Sequence, residues 1–201
     1  MTIRAIYFDM GGVILRTDDR QPRTQLGAEF GLSYEEIDQV VFGGGRYSSA
    51  ARASLGAVTE EAHWHAVTRR LNVSPDASRR INEQFFAGDR VDWQLVDFLR
   101  GLRKTHKVGL ISNAWDGLRA WIQKTKFDDA FDAIIISAEA RAAKPMPVIY
   151  HLALQTLGVR PEEALFVDDV LENITGCENV GMKGLHFKSA AQVMDDIRKL
   201  I

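Results

Sequence analysis

The 201-residue chain has one cysteine, Cys177, only five prolines, and no lysine before Lys104. A lone thiol closes no internal disulfide and supplies no thiolate cluster for zinc, which points to a reducing compartment. A basic excess is also missing: Lys+Arg number 25 against 27 Asp+Glu, a formal net charge of -2. Proteins that bind nucleic acid or a membrane surface need a basic footprint, so neither is expected as a partner. No apolar run approaches the roughly 18 residues of a spanning helix. The first strand is expected from about Ile3, which leaves no room for a signal peptide. Neither a G-x-S-x-G elbow nor an H-E-x-x-H helix occurs, so serine and zinc hydrolases lose their usual support; G-x-G-x-x-G and P-loop patterns are absent too. The expectation is a soluble, cytoplasmic protein with small-molecule partners.

What is present is a composition 46% hydrophobic, enough for a core domain with a smaller companion. "IYF" (Ile6 to Phe8) reads as a buried strand that stops at Asp9. From Val91 onward short apolar runs alternate with amphipathic helices. The runs are "KVGLIS" (Lys107 to Ser112), "AIIIS" (Ala133 to Ser137), "ALFVD" (Ala164 to Asp168) and "GLHF" (Gly184 to Phe187). Helices are expected from about Trp115, from Pro145 or Pro147 to near Gly158, up to near Gly181, and from about Ala190. Such alternation indicates an α/β fold, a doubly wound, Rossmann-like five-stranded parallel sheet covered on both faces. The interval 16–90 differs. It has helical periodicity (Leu26, Phe30; Ile37, Val40, Val41; Trp64, Val67, Leu71; Ile81, Phe85) and no convincing strand, so an all-helical insert is expected there, with 1–15 and 91–201 forming the core domain.

Ligands of open parallel sheets bind outside the carboxyl ends of the strands. Standing at those ends are Asp9, Ser112 with Asn113, and Asp168 with Asp169, while Lys144 lies in the loop after "AIIIS". Each alone has a plain structural explanation, as a turn or helix cap. Together they place three carboxylates, a hydroxyl and an amine on one rim. An oxygen-only acidic cluster needs positive charge, and magnesium is the usual hard cation for it.

The order "FDMGGV", "LISN", "AAKPMPVIY", "FVDDVLENI" resembles the four motifs of the haloacid dehalogenase-like hydrolase superfamily, and a helical insert after strand one is similar to the type 1 cap of its subfamily I. The resemblance implies a magnesium-dependent phosphatase acting on a small phosphorylated metabolite, sugar phosphate-like, through an aspartyl-phosphate. It implies Asp9 as nucleophile and Lys144 as the residue steadying nucleophile and phosphate. Ser112 and Asn113 would bind phosphoryl oxygens. Asp169, Asp9 and the backbone carbonyl of Gly11 would ligate Mg2+, with Asp168 beside them and Asn173 in support.

One departure stands at Gly11, where most phosphatases of that superfamily carry a second aspartate that protonates the leaving group. Such an acid/base contributes about 10²- to 10⁴-fold. Three readings follow: a phosphatase whose substrates leave easily or which recruits another acid; a C-halogen hydrolase, since a halide needs no proton; or a silent fold kept for binding. The related C–P hydrolases use a cap lysine, and interval 16–90 has none.

Other residues are weaker candidates. His63 and His65, at i and i+2, point to different helix faces and are expected to pack or face solvent. Arg46 and Tyr47, beside the loop glycines Gly43 to Gly45, are candidates for substrate contact; Trp115 either walls the pocket or packs.

Overall fold

The structure, a computed structural model, describes residues 2–201. The chain enters as β1 (Ala5–Phe8) and β2 (Leu15–Thr17), then runs through five helices: α1 (Gln21–Glu29), α2 (Tyr34–Phe42), α3 (Ser49–Ser54), α4 (Glu60–Arg70) and α5 (Ser78–Phe85). It returns through β3 (Asp89–Val91) into α6 (Trp93–Leu102), β4 (Lys107–Ser112), α7 (Leu118–Thr125), β5 (Ala133–Ile136), α8 (Ser137–Ala140) and α9 (Pro147–Leu157). The last elements are β6 (Ala164–Asp168), α10 (Leu171–Asn179), β7 (Lys183–His186) and α11 (Ala190–Leu200).

Five strands pair in parallel in the order β5-β4-β1-β6-β7, as the alternation of apolar runs and helices leads one to expect. Side chains alternate across the sheet. Ile6 and Phe8 therefore pack with Val108, Leu110 and Leu165 against α6 and α11, while Ala5 and Tyr7 pack with Ile111 and Phe166 against α9 and α10. Burying each large side chain contributes about 1.5–3 kcal/mol. Gly109 makes room for one of them: a Cβ there would stand 2.4 Å from the Tyr7 ring, whose hydroxyl donates to the Ala153 carbonyl at 2.8 Å. Cys177 is fully buried on the same side, and burial pushes its thiol up to about 12. Among the described residues no helix is long and apolar enough to cross a membrane.

The helices α1 to α5 enclose a separate cluster of Leu26, Ile37, Val41, Trp64, Val67, Ile81 and Phe85. Phe30, Val40 and Leu71 pack around it, so the periodic residues of interval 16–90 share one interior. Local signals start these helices. Ser33 and Glu36 form a reciprocal capping box on α2, and Thr59 caps α4, whose first turn carries Glu60 and Glu61 and whose last carries Arg69 and Arg70.

Two expectations need correction. The interval is not free of strands: β2 and β3 pair antiparallel, Arg16 opposite Arg90, in a short ribbon. Three residues show no usable periodicity, and the pairing joins segments some seventy positions apart in the chain. Nor does a helix start at Trp115. It starts at Leu118, because residues 115–117 are taken up by contacts with the insert.

Candidate active site

Strand β1 lies between β4 and β6, where the chain's winding reverses and the strand ends splay into a crevice. Tyr7 pairs with Phe166 and Phe8 with Val167, so continuing the register brings Asp9 beside Asp168 at the carboxyl end of the sheet. Two adjacent buried carboxylates repel, and a cation between them removes the conflict. Lys144 supplies it. Its Nζ is fully buried, 2.7 Å from Asp9 Oδ1 and 2.6 Å from Asp168 Oδ2.

The two carboxylates are held differently. Asp168 accepts from the Val170 amide at 2.8 Å and from Asn173 Nδ2 through both oxygens, at 3.1 and 3.0 Å, besides Lys144. Asn173 is fixed in turn by the Tyr150 hydroxyl, which donates to its carbonyl at 2.8 Å. Asp9 Oδ1 accepts from the Met10 amide at 2.6 Å as well as Lys144, and Oδ2 has no hydrogen bond among the described residues. Burial pushes the Asp9 carboxyl up to about 7, with Lys144 opposing the rise and the Asp168 charge adding to it.

Asp169 lies on the solvent side of this pair. One carboxyl oxygen from each of Asp9, Asp168 and Asp169 lies within 4.8 Å of the other two. Partial burial, then the Asp168 charge, raises the Asp169 carboxyl above the ordinary range. Gly12 cradles it: at φ +76 a Cβ would stand 2.1 Å from Asp169 Oδ2. At Gly11, by contrast, a Cβ would meet nothing within 4 Å. Three carboxylates against one ammonium, with oxygen donors only, fit a hard divalent cation.

Ser112, at the end of β4, is buried, and its hydroxyl is unpartnered among the described residues. The Asn113 side chain is already engaged: Nδ2 donates to the Lys144 carbonyl at 2.9 Å and Oδ1 accepts from the Lys144 amide at 2.8 Å. That pair fastens the β4 end to the loop bearing Lys144.

A cavity of about 980 Å³ separates the strand ends from the insert. Met10, Gly11, Ser112 and Asn113 line it below; Phe42, Phe86, Glu60, Asn82 and Trp115 line it above, with Arg46 at one side. Tyr47 instead is 76% exposed and not part of the lining. A smaller cleft, about 440 Å³ near Arg4 and Lys107 at the opposite ends of the strands, has none of these groups.

The sequence reading missed Ser137. Fully buried, its Oγ accepts from the Ala114 amide at 3.0 Å and donates to the Ala114 carbonyl at 3.2 Å, pinning the loop after Asn113. It stands at the end of an apolar run, as Ser112 does, so the same strand-end rule would have found it. The aromatic lining from α2 and α5 carries no local motif.

With this geometry, the likenesses to known proteins are informative. The chain is 25% identical to the D-ribitol-5-phosphate phosphatase of Bacteroides thetaiotaomicron over 99% of its own length and 98% of that protein's. A HAD family enzyme of the same bacterium, solved in complex with magnesium and inorganic phosphate, superposes with a TM-score of 0.78 at 22% identity, covering 92% of this chain and 94% of that one. The L-2-haloacid dehalogenase of Xanthobacter autotrophicus shares the fold, with a TM-score of 0.70 at 23% identity over 98% and 83% of the two chains. The family model of haloacid dehalogenase-like hydrolases matches residues 3–181, and the chain belongs to that family.

Proposed function

We propose that this protein is a magnesium-dependent phosphatase that hydrolyses a small, sugar phosphate-like monoester through an aspartyl-phosphate on Asp9. One observation carries the reading: Asp9 follows the central strand with Oδ1 held by Lys144 and the Met10 amide, while Oδ2 has no hydrogen bond among the described residues and the next two residues, Met10 and Gly11, line the cavity. A nucleophilic carboxylate needs one oxygen fixed and the other available.

The Asp9 Oδ2 electron pair forms a bond to phosphorus as the ester P–O bond breaks, and the departing alkoxide takes a proton from water. A second water then attacks phosphorus, the Asp9–phosphorus bond breaks, and the free carboxylate returns with inorganic phosphate. Both steps crowd negative charge, so positioning and neutralisation supply most of the rate. Lys144 neutralises Asp9 and the transferring phosphoryl group. The Ser112 hydroxyl and the Asn113 backbone amide hold its oxygens. Asp9, Asp169 and the Gly11 carbonyl are the residues that would hold magnesium, which when bound supplies the remaining positive charge. Asp168, its oxygens taken by Lys144, Asn173 and Val170, orients Lys144 rather than the metal.

Phosphate release from p-nitrophenyl phosphate with and without magnesium tests the reading. Release that needs magnesium and falls by at least about 10³-fold in Asp9→Asn supports it. Chloride release from 2-chloropropionate without metal would replace it with the C-halogen reading, and phosphate binding without turnover would replace it with the silent one.

A further inference from the structure

The loop after Asn113 leaves the sheet and enters the insert. Trp115 belongs in sequence to the strand-end loop but packs with the insert's interior. Its ring lies 4.4 Å from His63, 5.8 Å from Trp64 and 5.8 Å from Phe42, and its Nε1 donates to the Ala50 carbonyl at 3.3 Å. The next residue reaches the same helices by a different bond: Asp116 Oδ1 accepts from the Glu60 amide at 2.9 Å, satisfying one of the free donors in the first turn of α4. Gly117 completes the fit, since a Cβ there would stand 2.1 Å from Glu60 Oε2. On the insert's side, a Cβ at Gly56 would stand 2.2 Å from the Ala138 carbonyl.

From this we infer that Trp115 and Asp116 are positioning residues, a clamp that fixes the insert over the cavity from the same loop whose preceding residues, Ser112 and Asn113, line that cavity. The insert is attached covalently through the β2–β3 ribbon and non-covalently through this clamp and the neighbouring Gly56–Ala138 contact, and residues of both ribbon and clamp line the cavity. Trp115 also walls the cavity, so a loss of activity on its removal has two possible sources, a lost substrate contact or a loosened insert. The catalytic consequence rests on the phosphatase reading, whereas the attachment itself does not.

Hydrogen exchange separates the two. A solvent-exposed bond from a helix first-turn amide to a side-chain oxygen is worth roughly 3- to 10-fold in a local opening equilibrium. Asp116→Ala should therefore speed exchange of the peptide spanning 57–66 by about that factor, with β1 and β6 unchanged. Asp116→Asn keeps an acceptor and should restore wild-type exchange. Trp115→Ala should loosen the peptides spanning 49–54 and 57–66, and Trp115→Phe, which keeps a ring, should loosen them less. Kinetically, a clamp that sets the closed fraction makes Trp115→Ala lower kcat/KM by a similar factor on acetyl phosphate and p-nitrophenyl phosphate, because the fraction closed enters both equally. Exchange at 49–66 unchanged in both alanine variants would overturn the inference, as would a kinetic loss confined to the aryl substrate. If the wild type releases no phosphate, the functional reading fails while the exchange experiment still decides whether the clamp exists.

Discussion

Among the described residues two Lys or Arg side chains are buried, one at the sheet and one in the insert, and their surroundings show what separates the ion cluster proposed for chemistry from an architectural one. Lys144 is held by Asp9 and Asp168 at 2.7 and 2.6 Å, beside the cavity. Arg23 is held by Asp38 at 2.7 Å and Asp89 at 3.4 Å, with its guanidinium 3.9 Å over the Phe85 ring and further bonds to the Tyr34 hydroxyl and the Phe85 carbonyl. Every partner of Arg23 ties one element to another: α1 to α2, to α5 and to the ribbon. At Lys144 a third carboxylate, Asp169, brings an oxygen within 4.8 Å of those of Asp9 and Asp168, so three acids face one ammonium. A buried charge pair by itself says little about function; an excess of carboxylates gathered at the strand ends says more.

The sharpest test of that contrast removes each cation in turn. Lys144→Met should abolish turnover, by at least about 10³-fold, and leave two buried carboxylates unopposed, whereas Arg23→Met should cost about 3–5 kcal/mol of stability while the turnover number of the folded fraction stays near wild type. Urea unfolding alongside steady-state kinetics reads both, and a catalytic loss from Arg23→Met without a stability loss would erase the distinction.

A smaller effect is expected at Gly11, where a Cβ meets nothing within 4 Å. Gly11→Asp should raise turnover by up to about 10²-fold on alkyl phosphates and little on aryl or acyl phosphates, since only poor leaving groups need the proton. A uniform change across leaving groups would contradict this.

The smallest effect belongs to His63, in the insert. Burial, with the Arg70 charge adding to it, lowers its pKa to about 4, and its Nε2 is buried without a partner. The folded state thus binds fewer protons than the unfolded chain, whose histidine titrates near 6.5. Its contribution to stability is present above about pH 6.5 and is lost as pH falls toward 4. Thermal unfolding followed over that interval should show a decline that flattens in His63→Phe; an unchanged slope would assign the decline to other groups.

Much of the sheet and its rim could be read from the chain because each sheet strand is a run of apolar residues closed by a polar one: Asp9, Ser112 and Asp168 stand where such runs stop. What stayed hidden depends on partners distant in sequence. Nothing near Asp168 announces that Lys144 takes up one of its oxygens, and nothing near Asn113 announces the Lys144 backbone. Arg23 looks like an ordinary surface residue until α2, α5 and β3 close around it. The β2–β3 ribbon is a product of the same kind, its three pairs made by segments that five helices separate in the chain.

Buried on the inner face of α10, with its ionisation pushed to about 12, Cys177 gives the native chain little thiolate for alkylating reagents to find. A cysteine introduced on the insert, together with one on the outer face of α6, would accept a donor and acceptor dye pair without first deleting a native residue. Distances between the two bodies become measurable in solution, one molecule at a time.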